Sequence, residues 1–264
     1  MKTLCLLTVL AAAPVCFGQS FTESFDLNPV LGSADPGGNA ASGQWYVDRS
    51  APALFASTNF LGDNRLVVGV NGSDYLSDSG SQFYDTQGRK YYLNNAPIGT
   101  SLSAQLYIPS SWQSINLSAS MWLTAYDSSG NPAGYPIVGF YSSGTGDNYM
   151  RVWDDVSGYI NLSTPVHWDG WNTLAMTFTG SGLVYTINGQ DVFKDTAVTD
   201  NGGVSIANVM FQDRNYGTSF NAYWDNLTVN TNGLSPSPTP EPASLALAGM
   251  GAALLGLKLY RRRS

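Results

Sequence analysis

Between residues 19 and 233 the chain holds one glutamate, Glu23, one histidine, His167, and no cysteine. Those counts narrow the chemistry at once. Glycoside hydrolysis needs two carboxyl groups facing one bond, one acting as acid and the other as base or nucleophile. Glu23 has no glutamate partner, and Asp154-Asp155 are neighbours that would point to opposite faces of a strand, so the pair reads as a turn. His167 lies in Pro165-Val166-His167-Trp168-Asp169-Gly170-Trp171. Serine and aspartate abound, but no Gly-x-Ser-x-Gly elbow accompanies it, and it reads as a loop residue packed between tryptophans. A zinc site needs several His or Cys ligands, and no phosphate loop or dinucleotide fingerprint is present. The expectation is a domain that binds and is not an enzyme. The alternative is a secreted polysaccharide hydrolase working through aspartates alone.

Calcium is the one ion the composition suits, because it takes carboxylate and carbonyl oxygens in flexible geometry. Acidic loops occur at 127–131, 147–148, 154–155 and 213–215, and Asp147, Asp154 and Asp155 are the candidate ligands. None of these loops has alternating Asp-x-Asp-x-Asp-Gly spacing, so solvated turn acids are the competing reading. Aromatic residues suggest a second kind of site. One face of the segment 118–126 reads Ser118, Ser120, Trp122, Thr124, Tyr126. Rings stack on apolar sugar faces and hydroxyls supply hydrogen bonds, so Trp122, Tyr126 and Trp153 are the candidate glycan-binding residues. An ordinary second core layer is the competing reading.

Seventeen Asp and one Glu oppose seven basic residues over 19–233, a net charge of −11. That charge argues against nucleic acid and anionic membrane surfaces as partners, and it predicts neutral glycans or proteins instead. Asp favours turns where Glu favours helix. No helix-length stripe of period 3.6 appears, and alternation recurs instead. Leu102, Ala104, Leu106 and Ile108 share one strand face; Leu117, Ala119, Met121, Leu123 and Ala125 share another. Leu183, Tyr185 and Ile187 run into Asn188-Gly189, a type I′ hairpin signal. Many short strands with polar turns predict an all-β sandwich or jelly roll.

The stretch from Trp171 through Asn188-Gly189, together with Tyr223-Trp224-Asp225-Asn226-Leu227-Thr228-Val229, resembles the core hairpin and closing strand of concanavalin A-like, laminin-G-like jelly rolls. The resemblance covers residues 171–229. It implies a jelly-roll β-sandwich and permits calcium in the loops.

The two ends of the chain carry address signals. Met1-Lys2, an apolar stretch over 3–13, Pro14 and small residues before position 19 predict a signal peptide, 1–18. Both cysteines, Cys5 and Cys16, leave with it. At the other end a Pro-rich linker, 234–242, contains Pro240-Glu241-Pro242. An apolar run follows from 243 to 260, 18 residues, against the roughly 17–25 needed to span a bilayer. The segment 261–264 begins with Arg261, Arg262 and Arg263, which hold that end on the cytoplasmic side. This order of motif, short span and arginines resembles the PEP-CTERM family of bacterial surface proteins. The resemblance implies export through the Sec translocon and a transient membrane helix. It also implies processing near Pro240-Glu241-Pro242 by an exosortase, and a cell-surface or exopolysaccharide-matrix destination outside a Gram-negative-type bacterium.

Overall fold

The computed structural model describes residues 20–33, 43–74 and 85–231. They form sixteen strands, in chain order β1 (Phe21–Glu23), β2 (Trp45–Arg49), β3 (Leu54–Phe60), β4 (Asp63–Val70), β5 (Gln87–Pro97), β6 (Ser101–Ile108), β7 (Asn116–Asp127) and β8 (Pro132–Gly134). The second eight are β9 (Ile137–Ser143), β10 (Asn148–Asp154), β11 (Gly158–Asn161), β12 (Gly170–Thr179), β13 (Gly182–Ile187), β14 (Gln190–Asp195), β15 (Gly203–Asn215) and β16 (Phe220–Asn230). Two eight-stranded antiparallel sheets result. Sheet A runs β14-β13-β12-β6-β16-β4-β3, with β1 added against β16. Sheet B runs β11-β10-β9-β7-β15-β5-β2, with β8 added against β7. Strands distant in sequence lie side by side, as in a jelly-roll sandwich, and the all-β expectation holds.

The period-2 patterns become the inner faces. Alternate residues of β6 are buried from Leu102 to Ile108, and Leu117, Ala119, Met121, Leu123 and Ala125 of β7 face them across one continuous core. Each large apolar side chain so buried contributes about 1.5–3 kcal/mol, which holds a chain with no disulfide in this region. The β13–β14 connection is the expected hairpin: Asn188 and Gly189 have φ of 50° and 79°, the left-handed pair that a type I′ turn requires.

The signal peptide 1–18, the linker 234–242, the apolar segment 243–260 and the basic end 261–264 lie outside the described residues. Among the described residues no helix is long and apolar enough to cross a membrane.

Candidate functional site

Sheet B has a second face, turned away from the core. Strand register builds it row by row. Gly88, Gln212, Ser120, Gly139 and Arg151 lie side by side across β5, β15, β7, β9 and β10. The adjacent row reads Lys90, Met210, Trp122, Ile137, Trp153 and Tyr159. Trp122, Ile137 and Met210 form a small apolar cluster of their own, with Trp153 and Tyr159 packed against it. The face is therefore neither a second full core layer nor a bare polar surface. It has an apolar middle, with cations and tyrosines around it.

The three aromatic candidates all lie on this face, in different settings. Trp122 is only 2% exposed, with the Arg49 guanidinium 4.8 Å from its ring. A sugar reaches that ring only when Arg49 moves. Arg49 adopts φ of 58°, a conformation that costs a non-glycine residue on the order of 1 kcal/mol. Trp153 is half-buried, donates from Nε1 to Asp155 at 2.9 Å, and meets Tyr159 edge-on at 5.0 Å. Tyr126 lines a pocket of about 260 Å³ with Tyr92, Tyr135, Thr124, Asn208 and Lys90. Asp48, Arg49 and Met210 complete that lining.

One carboxylate lies in the pocket wall, and a second reaches the backbone of a lining residue. Asp48 lies in its wall, ion-paired to Arg49 and to Lys90 at 3.1 Å, and accepts from the Gln212 amide at 2.9 Å. Asp155 follows β10 and accepts from the Tyr135 backbone N–H at 3.2 Å, beside that residue's place in the pocket wall. Burial raises the Asp155 pKa against the opposing pull of its bonds to Trp153 and Tyr135. Gly134 is needed for this arrangement, because a Cβ there would sit 2.2 Å from Asp155 Oδ2.

Asp147, Asp154 and Asp155 do not converge on one ion. The whole of β10 separates Asp147 from Asp154, about 23 Å at 3.3 Å per residue. Asp147 accepts from the Tyr149 hydroxyl at 3.2 Å, while Asp154 caps the β10–β11 turn through the Ser157 N–H at 3.0 Å. Among the described residues no group of three or more His, Cys, Asp or Glu side chains is arranged to hold a metal ion. The 127–131 loop is likewise closed on itself, with Asp127 Oδ1 accepting from the N–H groups of Ser129 and Asn131, both at 2.8 Å. Glu23 is remote from sheet B, on β1, and accepts from the Phe25 N–H. The His167 backbone is held by Asn172: its N–H donates to Asn172 Oδ1 at 3.0 Å, and the Asn172 amide returns a bond to its carbonyl at 2.9 Å.

The structure also brings a third acid to Asp154 and Asp155. Asp195, at the end of β14, is 2% exposed and accepts from the Ala197 N–H at 2.7 Å. Burial, with the charges of Asp154 and Asp155 adding to it, pushes its pKa up to about 6. Burial would raise Asp154 as well, but hydrogen bonds from Ser157 and Val156 hold it below the ordinary value. A carboxyl raised in the folded state binds its proton more tightly there than when unfolded. Its contribution to stability is thus complete below about pH 4 and is lost as pH rises through about 6. Asp195→Asn removes this loss. The variant is expected to exceed the parent in stability at pH 7 by roughly 1–3 kcal/mol and to show a flatter profile between pH 4 and 7. Denaturant unfolding at the two pH values measures it.

Comparison with known proteins adds one firm assignment. Residues 238–264 match the model described as the PEP-CTERM protein-sorting motif. The chain carries this sorting motif. No curated protein matches the chain. Similar solved structures include a native glycosidic hydrolase, 15% identical over 84% of this chain and 100% of that one, with a TM-score of 0.47. The Crh5 transglycosylase is 10% identical over 80% and 83%, with a TM-score of 0.46. A Bacteroides ovatus mixed linkage glucan GH16 protein in complex with its product is 9% identical over 80% and 99%, with a TM-score of 0.46. They share the jelly-roll sandwich with this chain. The expectation of a domain that is not an enzyme is withdrawn, because the similar structures are named as a glycosidic hydrolase and a transglycosylase. Sequence reasoning had no means of seeing Asp48 in a pocket wall, or Asp155 bonded to the backbone of a lining residue.

The same reasoning missed the cations. Arg49, Lys90, Arg151 and Arg214 are all on the outward side of sheet B, four of the seven basic residues in a domain of net −11. A partial signal existed, because Tyr149, Arg151 and Trp153 alternate along β10 and so share a face.

Proposed function

We propose that this is an exported polysaccharide-acting hydrolase, delivered by the signal peptide 1–18. It is held at the membrane through 243–260 and processed near Pro240-Glu241-Pro242 by an exosortase-type system, for service at the cell surface or in the surrounding matrix. The catalytic region is the pocket on the outward face of sheet B. The observation that carries the reading is Asp48 in the wall of that pocket, with Asp155 bonded to the backbone of the lining residue Tyr135. Asp48 is ion-paired by Lys90 and Arg49, whereas Asp155 is raised by burial. Acid–base catalysis needs a group that holds a proton it can give up, and burial favours the protonated form of Asp155. Asp155 is then the general acid, and Asp48 the base or nucleophile. Tyr126 and Trp153 are the aromatic surfaces for the sugar, and Trp122 backs them beneath Arg49.

The test is release of reducing ends from a panel of polysaccharides by the full-length protein. Asp48→Asn and Asp155→Asn are each expected to lower the rate by about 100-fold or more without changing the melting temperature greatly. A protein inactive on every polymer, or two variants as active as the parent, would overturn the proposal.

A further inference from the structure

Arg151 is the most unusual cation in the domain. It lies on β10 in the middle of the outward face and is 5% exposed. Its guanidinium sits between two tyrosines, 3.8 Å from the Tyr159 ring centroid and 4.6 Å from that of Tyr141. No carboxylate or carbonyl among the described residues accepts a hydrogen bond from it, and its Nε is sealed without a partner. A buried charge without a counter-ion is costly, and ring faces offset only part of that cost. Arg49 and Arg214 also bury an Nε without a partner, but each neighbouring cation has a carboxylate. Arg214 is paired with Asp85 at 2.9 Å, and Arg49 and Lys90 share Asp48. Asp147, at the rim, is engaged by the Tyr149 hydroxyl. With Asp155 beside Trp153, the outward face sets four cations against four acids, inside a domain that is strongly negative as a whole, and Arg151 is the cation without an ion pair among them. All three guanidiniums, Arg151, Arg214 and Arg49, act on the Tyr159 hydroxyl, so their fields overlap at one place.

We infer that the substrate is an anionic polysaccharide, with a sugar carboxylate bound by Arg151 between Tyr141 and Tyr159. This rests on the proposed polysaccharide-acting pocket and names its substrate class. A planar carboxylate accepts two parallel bonds from a guanidinium, so a uronate supplies the partner that the protein withholds. Asp155 lies just past the end of β10, four residues on from Arg151, about 13 Å if extended. The acidic sugar therefore sits to one side of the bond being cut, and Arg151 is a specificity residue, not a catalytic one. The reading replaces the expectation of neutral glycans: net charge describes the domain, whereas the ligand meets one face of it.

The experiment is calorimetric titration of the full-length protein with three oligosaccharides of equal length: a polygalacturonate, its methyl ester and a neutral β-glucan. The acid is expected to bind at least tenfold more tightly than the ester or the glucan, and its affinity is expected to fall as salt is raised. Arg151→Gln is expected to lose tenfold or more of the affinity for the acid and none for the glucan, with Arg151→Lys intermediate because it keeps the charge without the fork. Equal binding of acid and ester by the parent protein overturns the inference whether or not the variants fold, and so does an Arg151→Gln protein that binds the acid normally. If neutral glucan is bound and cut while the acid is ignored, the inference fails and the hydrolase reading stands. If no oligosaccharide is bound or cut, the hydrolase reading falls and the inference with it.

Discussion

Removal of residues 238–264 is expected to move the protein from the cell envelope to the medium almost completely. The deleted segment is the matched sorting motif, and it contains both the apolar run and Arg261, Arg262 and Arg263. An apolar segment near bilayer length inserts with a free energy that summed side-chain transfer makes large, and arginines on its cytoplasmic flank prevent it from being pulled through. Without it, the folded domain has net charge −11 and no described helix able to span a bilayer. Immunoblots of envelope and medium fractions read the outcome, and mass spectrometry of the surface form of the intact protein is expected to find Arg261, Arg262 and Arg263 absent. A truncated protein that stays with the envelope would remove the tail as the retention device.

The second large effect is expected in the sandwich itself. Trp45 on β2 is 2% exposed and lies where the two edge strands β2 and β3 close the end of the core. Its ring stacks on Phe211 at 5.5 Å and meets Phe55 at 5.2 Å and Tyr91 at 5.4 Å. Phe25 lies beyond, at 6.3 Å. Trp45→Ala removes the residue that joins these rings and leaves a cavity that rigid strands cannot collapse to fill. A loss of about 3–5 kcal/mol is expected, read as a fall in the denaturant midpoint with an unchanged slope. Since a domain of ordinary stability has only about 5–15 kcal/mol to lose, the variant is expected to be close to unfolded at growth temperature. A loss below about 1 kcal/mol would show that the edge is held by the strands β1 to β4 without this ring.

Much of the fold was legible in the chain because the signals are local. A strand buried on one face must alternate with period 2, and Leu102 to Ile108 and Leu117 to Ala125 do so. A two-residue hairpin must turn through positive φ, and Asn188-Gly189 supplies it. The tail was legible for the same reason, since a sorting motif, a span and its basic flank are contiguous. That Trp122 and Tyr126 share the face opposite Leu117 to Ala125 also follows from alternation alone.

The site itself was decided by pairing between distant strands. Arg49 belongs to β2, Trp122 to β7, Arg151 to β10 and Arg214 to β15, and only the order β10-β9-β7-β15-β5-β2 sets them on one face. The burial of Trp122 under Arg49, the approach of Asp155 to Tyr135 over Gly134, and the meeting of Asp195 with Asp154 all join residues from different strands or loops. Sequence by itself determined which residues point the same way along each strand, because backbone geometry imposes that. Which strands become neighbours, and hence which charges are left without a partner, depends on the total burial of both sheets at once, and only the tertiary structure decided it.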